Sequence, residues 1–183
     1  MASSFVERVI GAARLDVNTY EEVEADTSAL GQAMAVVVMA SVAAGIGSLR
    51  DGGIKGLVMA TVAALVGWFI WAGLTYLIGT KILPEPQTKA DMGEMLRTIG
   101  FASSPGLLMV LRILPVLGAL VGLIISIWML LAFVVAVRQA LDYESTGRAV
   151  AVCLIGFLVY LAIGIGMTLL MGTGAAIMGA ATP

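Results

Sequence analysis

Apolar positions in this chain fall into long unbroken runs, without the alternation of a half-buried strand or the one-sided stripe of a surface helix. The first run covers 29–49 and is closed by Arg50-Asp51-Gly52-Gly53. The second covers 57–80, carries Trp68, Trp71 and Tyr76, and stops at Lys81 and Pro84-Glu85-Pro86. Two later runs cover 117–137, ending at Arg138, and 149–172, trailing into Gly174-Ala175-Ala176. At about 1.5 Å per residue, about 20 residues cross the roughly 30 Å of bilayer hydrocarbon, so each run predicts a spanning helix. Backbone groups in hydrocarbon must be satisfied within the protein, and continuous runs exclude the ten-residue alternation of a barrel.

The segment 98–113 is shorter and less regular. It lies between Arg97 and Arg112 and carries Pro105 near its middle. Two readings stand. In one it crosses as a helix from Asp91 to Ile113, kinked at Pro105, with both arginines snorkelling to opposite interfaces. In the other it is re-entrant. The helix starts at Thr88 or Asp91, and Ser103 and Ser104 offer hydroxyls to the carbonyls that the proline frees. A turn through Leu114-Pro115-Val116 predicts antiparallel packing on the next helix along Gly118 and Gly122. The expected fold is all-α: a polytopic membrane bundle of five transmembrane helices with a kinked third.

Residues 1–28 are polar, with two arginines against six acids, and lack the charged start and apolar core of a secretory signal. Phe5, Val6, Val9, Ile10 and Ala13 share one helical face, which predicts either a short amphipathic helix on the membrane surface or a polar tail. Thr19 and Glu22 have the spacing of a capping box, with Thr19 as N-cap. The domain division is therefore a tail at 1–28, a five-helix membrane domain at 29–175 and a short tail at 176–183.

Composition strengthens the membrane reading. Apolar residues make up 60% and charged residues 12% of the chain, and the mean hydropathy is +1.04. Soluble domains run near half apolar and a quarter charged. Histidine is absent and cysteine occurs once, at Cys153, which removes the usual general base, metal ligands and disulfides. The net charge of −2 carries no basic footprint for nucleic acid.

Within the spans the polar groups are hydroxyls, such as Ser41, Thr61, Thr75, Ser126 and Tyr160, which serve helix backbones or bridge helices. Glycines form small-residue ridges: Gly118 and Gly122 in the fourth run, and Gly156, Gly164 and Gly172 in the fifth. These are helix-packing candidates, within the chain or across a dimer seam. Arg97, Pro105 and Arg112 are the kink and interface candidates. No catalytic, cofactor-binding or metal-binding set can be assembled, so neither an enzyme nor a cofactor is expected.

The string from Gly67-Trp68-Phe69-Ile70-Trp71 through Leu74-Thr75-Tyr76-Leu77-Ile78-Gly79 resembles the second span of prokaryotic Yip (Ypt-interacting) proteins. Leu96-Arg97-Thr98-Ile99-Gly100-Phe101-Ala102-Ser103-Ser104-Pro105 is similar to that family's glycine–aromatic pair before an A-x-x-P kink. Leu114-Pro115 to Gly118, Ile127-Trp128, Val137-Arg138-Gln139-Ala140 and Gly147-Arg148-Ala149 follow in family order. The resemblance covers roughly 15–165 and implies five helices, no catalytic residues, a cytoplasmic N-terminus and a far-side C-terminus. Eukaryotic relatives bind Rab-type GTPases in vesicle traffic through a long cytoplasmic region, for which 1–28 is too short.

Counting Lys and Arg gives the same orientation. Arg8, Arg14, Lys81, Lys89, Arg97, Arg138 and Arg148 lie on the N-terminal side, against Arg50, Lys55 and Arg112 on the other. The expectation is a multi-pass protein of a prokaryotic inner membrane. Its partners are the lipid bilayer and either a membrane protein or further copies of itself. A small structural subunit of a larger membrane complex and a small transporter are the alternatives.

Overall fold

The computed structural model describes the backbone of residues 3–47, 49–114 and 116–180, and the side chains within 3–47, 54–114 and 116–166. Every regular element among them is helical. Two short helices, α1 (Phe5–Ala13) and α2 (Val17–Ala25), precede a 3-10 turn (Thr27–Ala29) that leads into α3 (Leu30–Gly47). Next come α4 (Leu49–Leu77), which ends in a π-helical turn (Ile78–Ile82), and α5 (Met92–Ala102) with a 3-10 helix (Ser104–Ile113). The chain closes with α6 (Gly118–Ala140) and α7 (Thr146–Ala180).

Among the described residues, four helical stretches are long and apolar enough to cross a membrane: Thr27–Gly47, Ile54–Ile82, Gly118–Ala140 and Thr146–Gly166. They correspond to the four long apolar runs. The 98–113 segment differs from the expected single kinked α-helix. The α-helix stops at Ala102, and a 3-10 helix continues from Ser104. Pro105 explains the change. It has no N–H to return to Phe101, and the Ser104 hydroxyl donates to that carbonyl instead, at 2.6 Å. Gly106 N–H then bonds Ser103 O, three residues back, and sets the tighter winding. Asp91 starts α5 with a capping box: its carboxylate accepts from Glu94 N–H, and the Glu94 carboxylate from Asp91 N–H. Pro115, the centre of the predicted turn, lies outside the described residues.

Glycine contacts give the register of this segment. A Cβ at Gly100 would stand 2.7 Å from Ala33 Cβ, one at Gly106 3.1 Å from Ala40 Cβ, and one at Gly47 3.0 Å from Arg112 Cβ. From Gly100 to Arg112 the chain therefore runs beside α3 in the same direction. A Cβ at Gly122 would stand 3.1 Å from Arg112 Cδ, and one at Gly106 would lie 3.2 Å from Met129 Sδ, so α6 returns antiparallel.

The N-terminal residues form two helices that pack on the bundle. α1 begins at Ser4, whose hydroxyl and the Glu7 carboxylate complete a capping box. The N-cap of α2 is Asp16, not the expected Thr19. Thr19 sits inside the helix, buried, and donates its hydroxyl to Asp16 Oδ2 at 3.0 Å. Asp16 wins because its carboxylate sits two residues before the Asn18 N–H it accepts, and Leu15, in the left-handed region at φ 62°, has already reversed the chain. Ala12, Tyr20 and Val23 are fully buried, and the two helices pack on α5, α6 and the 3-10 helix.

Candidate contact face and intramembrane cavity

Three side chains of the bundle and cap close the C-terminal ends of the N-terminal helices, where carbonyls are left without intrahelical partners. The Trp128 indole donates to Ala13 O at 2.7 Å, and the Tyr20 hydroxyl donates to Ala12 O at 3.1 Å. Arg97 does the same for α2. Its Nε donates to Val23 O and Glu24 O, both at 3.0 Å, and its terminal nitrogen also reaches Glu24 O. A cation at the negative end of a helix dipole is well placed. Arg97 is 5% exposed, so it sits inside the protein under the helix cap.

Arg8 ties the cap together from the other side. Buried at 3% exposure, it reaches Glu22 Oε1 at 2.9 Å and Asp26 Oδ2 at 2.8 Å, and also donates to Gln32 at the start of α3. The loops converge on the same end. The Tyr143 hydroxyl donates to Gly79 O and Leu83 O at the π-helical end of α4. Arg148 pairs with Glu85 at 3.2 Å and donates to Pro84 O. Gln139 donates to Glu21, joining α6 to α2.

A polar cleft of about 500 Å³ opens on this face, lined among others by Glu21, Glu24, Glu94, Arg138, Asp142 and Glu144. Desolvation pushes the Glu24 carboxyl up to about 7, helped by the facing charges of Asp142, Glu94 and Glu21 and opposed by Arg97. Among the described residues no group of three His, Cys, Asp or Glu side chains is placed to hold a metal ion.

A second cavity, of about 390 Å³, lies within the bundle and is lined by α3, α4, α5, the 3-10 helix, α6 and α7. Its walls are almost wholly apolar. The Trp68 indole beside it donates to Leu96 O at 3.0 Å. The Trp71 indole N–H is buried and has no hydrogen-bond partner among the described residues.

Of the sequence-selected residues, Arg112, Gly118 and Gly122 come together. The Arg112 stem lies on Gly122, and a Cβ at Gly118 would meet the Arg112 carbonyl oxygen. Pro105 is buried, next to Gly106, whose Cβ would meet Ala40 of α3. Gly156 is packed against α4: its Cβ would stand 3.6 Å from both Thr75 and Trp71. A Cβ at Gly164 would meet nothing within 4 Å, and Gly172 lies outside the residues whose surroundings are described. The sequence reading missed Arg8, Tyr20, Trp128 and Tyr143 as fasteners. Ser4 and Glu7, three apart before an apolar stretch, were the signal available for the start of α1.

With the fold in place, the family is settled by comparison. The Yip1 domain matches residues 17–166, from the start of α2 into α7, and the chain belongs to that family of membrane proteins. No curated protein and no solved structure gives a further match.

Proposed function

We propose that this chain is a non-enzymatic membrane protein of the prokaryotic Yip branch, acting through protein or lipid contacts. It sits in the plasma membrane with its N-terminus cytoplasmic and its C-terminus outside. The observation that carries this reading is the placing of ionisable groups. They fasten one end of the bundle, through Arg8, Arg97 and Arg148, and are absent between the ends of the long apolar runs. A transport path or a reaction centre would need such groups at membrane depth.

The α5 and 3-10 segment makes the fifth crossing. Along α3 it covers the stretch from Ala33 to Gly47. Winding as 3-10 beyond Ser103 also lengthens it: at about 2.0 Å per residue, Arg97 to Arg112 spans about 27 Å instead of about 22 Å for an α-helix.

Two measurements test the proposal. A reporter active only in the cytoplasm, fused after Pro183, should be silent, and an active fusion overturns the topology. Cross-linking in intact membranes followed by mass spectrometry should capture contacts through α1, α2 and the 84–91 loop. Substrate turnover by the purified protein, or stoichiometric zinc or iron, overturns the non-enzymatic reading.

A further inference from the structure

The hairpin of α1 and α2 reaches far along the bundle. Its helices run antiparallel: Ser3, before α1, donates to Glu22 near the end of α2, and the chain reverses at Leu15. The tip, Arg14 to Asn18, is held against α6 by the Trp128 indole on Ala13 O. Trp128 stands at the centre of α6, ten residues from Gly118 and ten from Arg138, which is about 15 Å from each. Its neighbour Met129 lies against Gly106, and Gly106 against Ala40, near the middle of α3. Aromatic side chains of a helix lean toward its N-terminus, here the uncapped end, so the indole holds the tip at mid-span depth.

Polar groups crowd that tip. Arg14, Asp16 and Asn18 are exposed, and Val6 and Ile10, nearer the capped end, are two apolar positions beside Glu7 and Glu21. On α6 no position from Ala132 to Ala140 is exposed, and the exposed apolar belt runs only from Leu117 to Leu131, about 21 Å. The belt of α4 is longer. It runs from Ile54 to Leu77, about 35 Å. A Cβ at Gly79 would meet Leu141, so the capped ends of α4 and α6 are level. One flank therefore matches the roughly 30 Å of bilayer hydrocarbon, and the other falls well short. Charged side chains facing hydrocarbon are costly, and a bilayer meets a short apolar belt by thinning.

We propose that the leaflet on the capped side is thinned along the α1–α2 flank, where phospholipid headgroups descend to Arg14, Asp16 and Asn18. The α4 flank keeps its full hydrocarbon. The partner of the hairpin tip is thus the headgroup layer of the surrounding bilayer. Arg14 offers its guanidinium to the phosphates. The Asp16 carboxylate is already engaged, accepting from Asn18 N–H and the Thr19 hydroxyl. This inference rests on the contact reading above and names headgroups as one contact. It fails separately, because topology and turnover are read in other measurements.

The test uses the full chain in phosphatidylcholine vesicles carrying one of two photoreactive lipids. One is a phosphatidylethanolamine with a diazirine on its headgroup, the other a phosphatidylcholine with a diazirine midway along one tail. Val66 is the reference on α4. It is exposed, and it stands thirteen residues before Gly79, as Trp128 does before Leu141, so it is level with the tip. Photolysis and peptide mass spectrometry should place headgroup label on residues 14–18 and tail label on Val66, each preferred at least fivefold. Arg14→Leu combined with Asn18→Leu should cut headgroup label at the tip at least threefold. Unchanged tail label on Val66 checks that this variant stays folded. Tail label at the tip overturns the proposal, because hydrocarbon then reaches it. So does a tip labelled by neither lipid, which means that a second copy or another protein covers it. Headgroup label on Val66 equal to that at the tip also overturns it, since the whole bundle then stands out of the bilayer. Headgroup label that the double substitution leaves unchanged overturns the part given to Arg14 and Asn18. Tail label absent from both Val66 and Leu120 rejects the spans themselves, and with them the reading beneath the proposal.

Discussion

The two ends of this molecule are built by different rules. The capped end, where α1 and α2 sit, resembles a small soluble core: Tyr20, Val23, Met95, Phe101 and Leu141 are fully or almost fully buried. Helix ends there are closed by Trp128, Tyr20, Arg97 and Tyr143. At the other end α4 exposes Ile54 at 77%, Met59 at 69% and Val58 at 56%. Beyond Gly156, every described position of α7 through Ile165 is exposed, on all faces of the helix. Water drives apolar side chains together at the first end, whereas lipid tails solvate them at the second and give no such drive. Packing in lipid then depends on close backbone approach, as further along the third segment, where a Cβ at Gly106 would stand 3.1 Å from Ala40 Cβ.

The sharpest break in this comparison is expected at Arg97. Arg97→Met removes a buried charge, which by itself relieves desolvation, but leaves Val23 O and Glu24 O buried without their donors. Hydrogen bonds from charged groups contribute about 1.5–3 kcal/mol, so the folded state should lose about 2 kcal/mol. Thermal unfolding in mild detergent should fall, and proteases should cut within 1–28 before the bundle unfolds. Arg112→Met, exposed at the other end, should change stability by less than about 0.5 kcal/mol. Equal effects at the two arginines would erase the distinction between the ends.

That asymmetry was only half legible in the sequence. The four long spans follow from uninterrupted apolar runs, and Asp91 and Glu94 announce the start of α5. Arg97 is different. A guanidinium flanked by apolar residues reads the same whether it snorkels to an interface or caps a helix from within, because its partners here are backbone carbonyls 73 and 74 residues away. Arg8, Glu22 and Asp26 likewise look like scattered surface charges until α1 folds back on α2. The change at Ser104 was visible as a proline, but a kinked α-helix and a 3-10 continuation satisfy the same residues. What decided it was the pairing of Ser104 with Phe101 O and of Gly106 with Ser103 O.

A second, smaller effect separates the ends by pH. Glu24 in the folded protein titrates at about 7, raised first by desolvation and then by Asp142, Glu94 and Glu21, against about 4.5 in the unfolded chain. The folded state therefore binds more protons between those values, and its stability declines as pH rises from about 4.5 to about 7. Because the carboxyl is only partly shielded from solvent, the change should be about 1 kcal/mol after allowing for screening. Glu22, held low by the Ser3 hydroxyl and then by Ser3 N–H and Arg8, acts in the opposite sense, as does Asp26, held low by Ser28 and then Arg8. Their contribution is present above the ordinary carboxylate range and is lost as pH falls through their lowered values. Cap stability should therefore peak on the acidic side of neutrality, and Glu24→Gln should flatten only the limb above the peak. A Glu24→Gln protein with an unchanged limb would assign it to other groups.

The smallest effect is expected at the open end, at Gly56 in α4. A Cβ there would meet nothing within 4 Å, so alanine introduces no clash. Glycine in a helix interior is less favourable than alanine by roughly 0.5–1 kcal/mol, through the backbone freedom it keeps when unfolded. In a membrane much of the helix persists in the unfolded reference state, which shrinks that gain. Gly56→Ala should therefore raise the unfolding midpoint slightly, by the equivalent of about 0.5 kcal/mol or less. The sign matters more than the size. A loss of stability would mean that this face of α4 is packed tightly in the membrane, and would bring the open end under the same close-approach rule that holds Gly106 against Ala40.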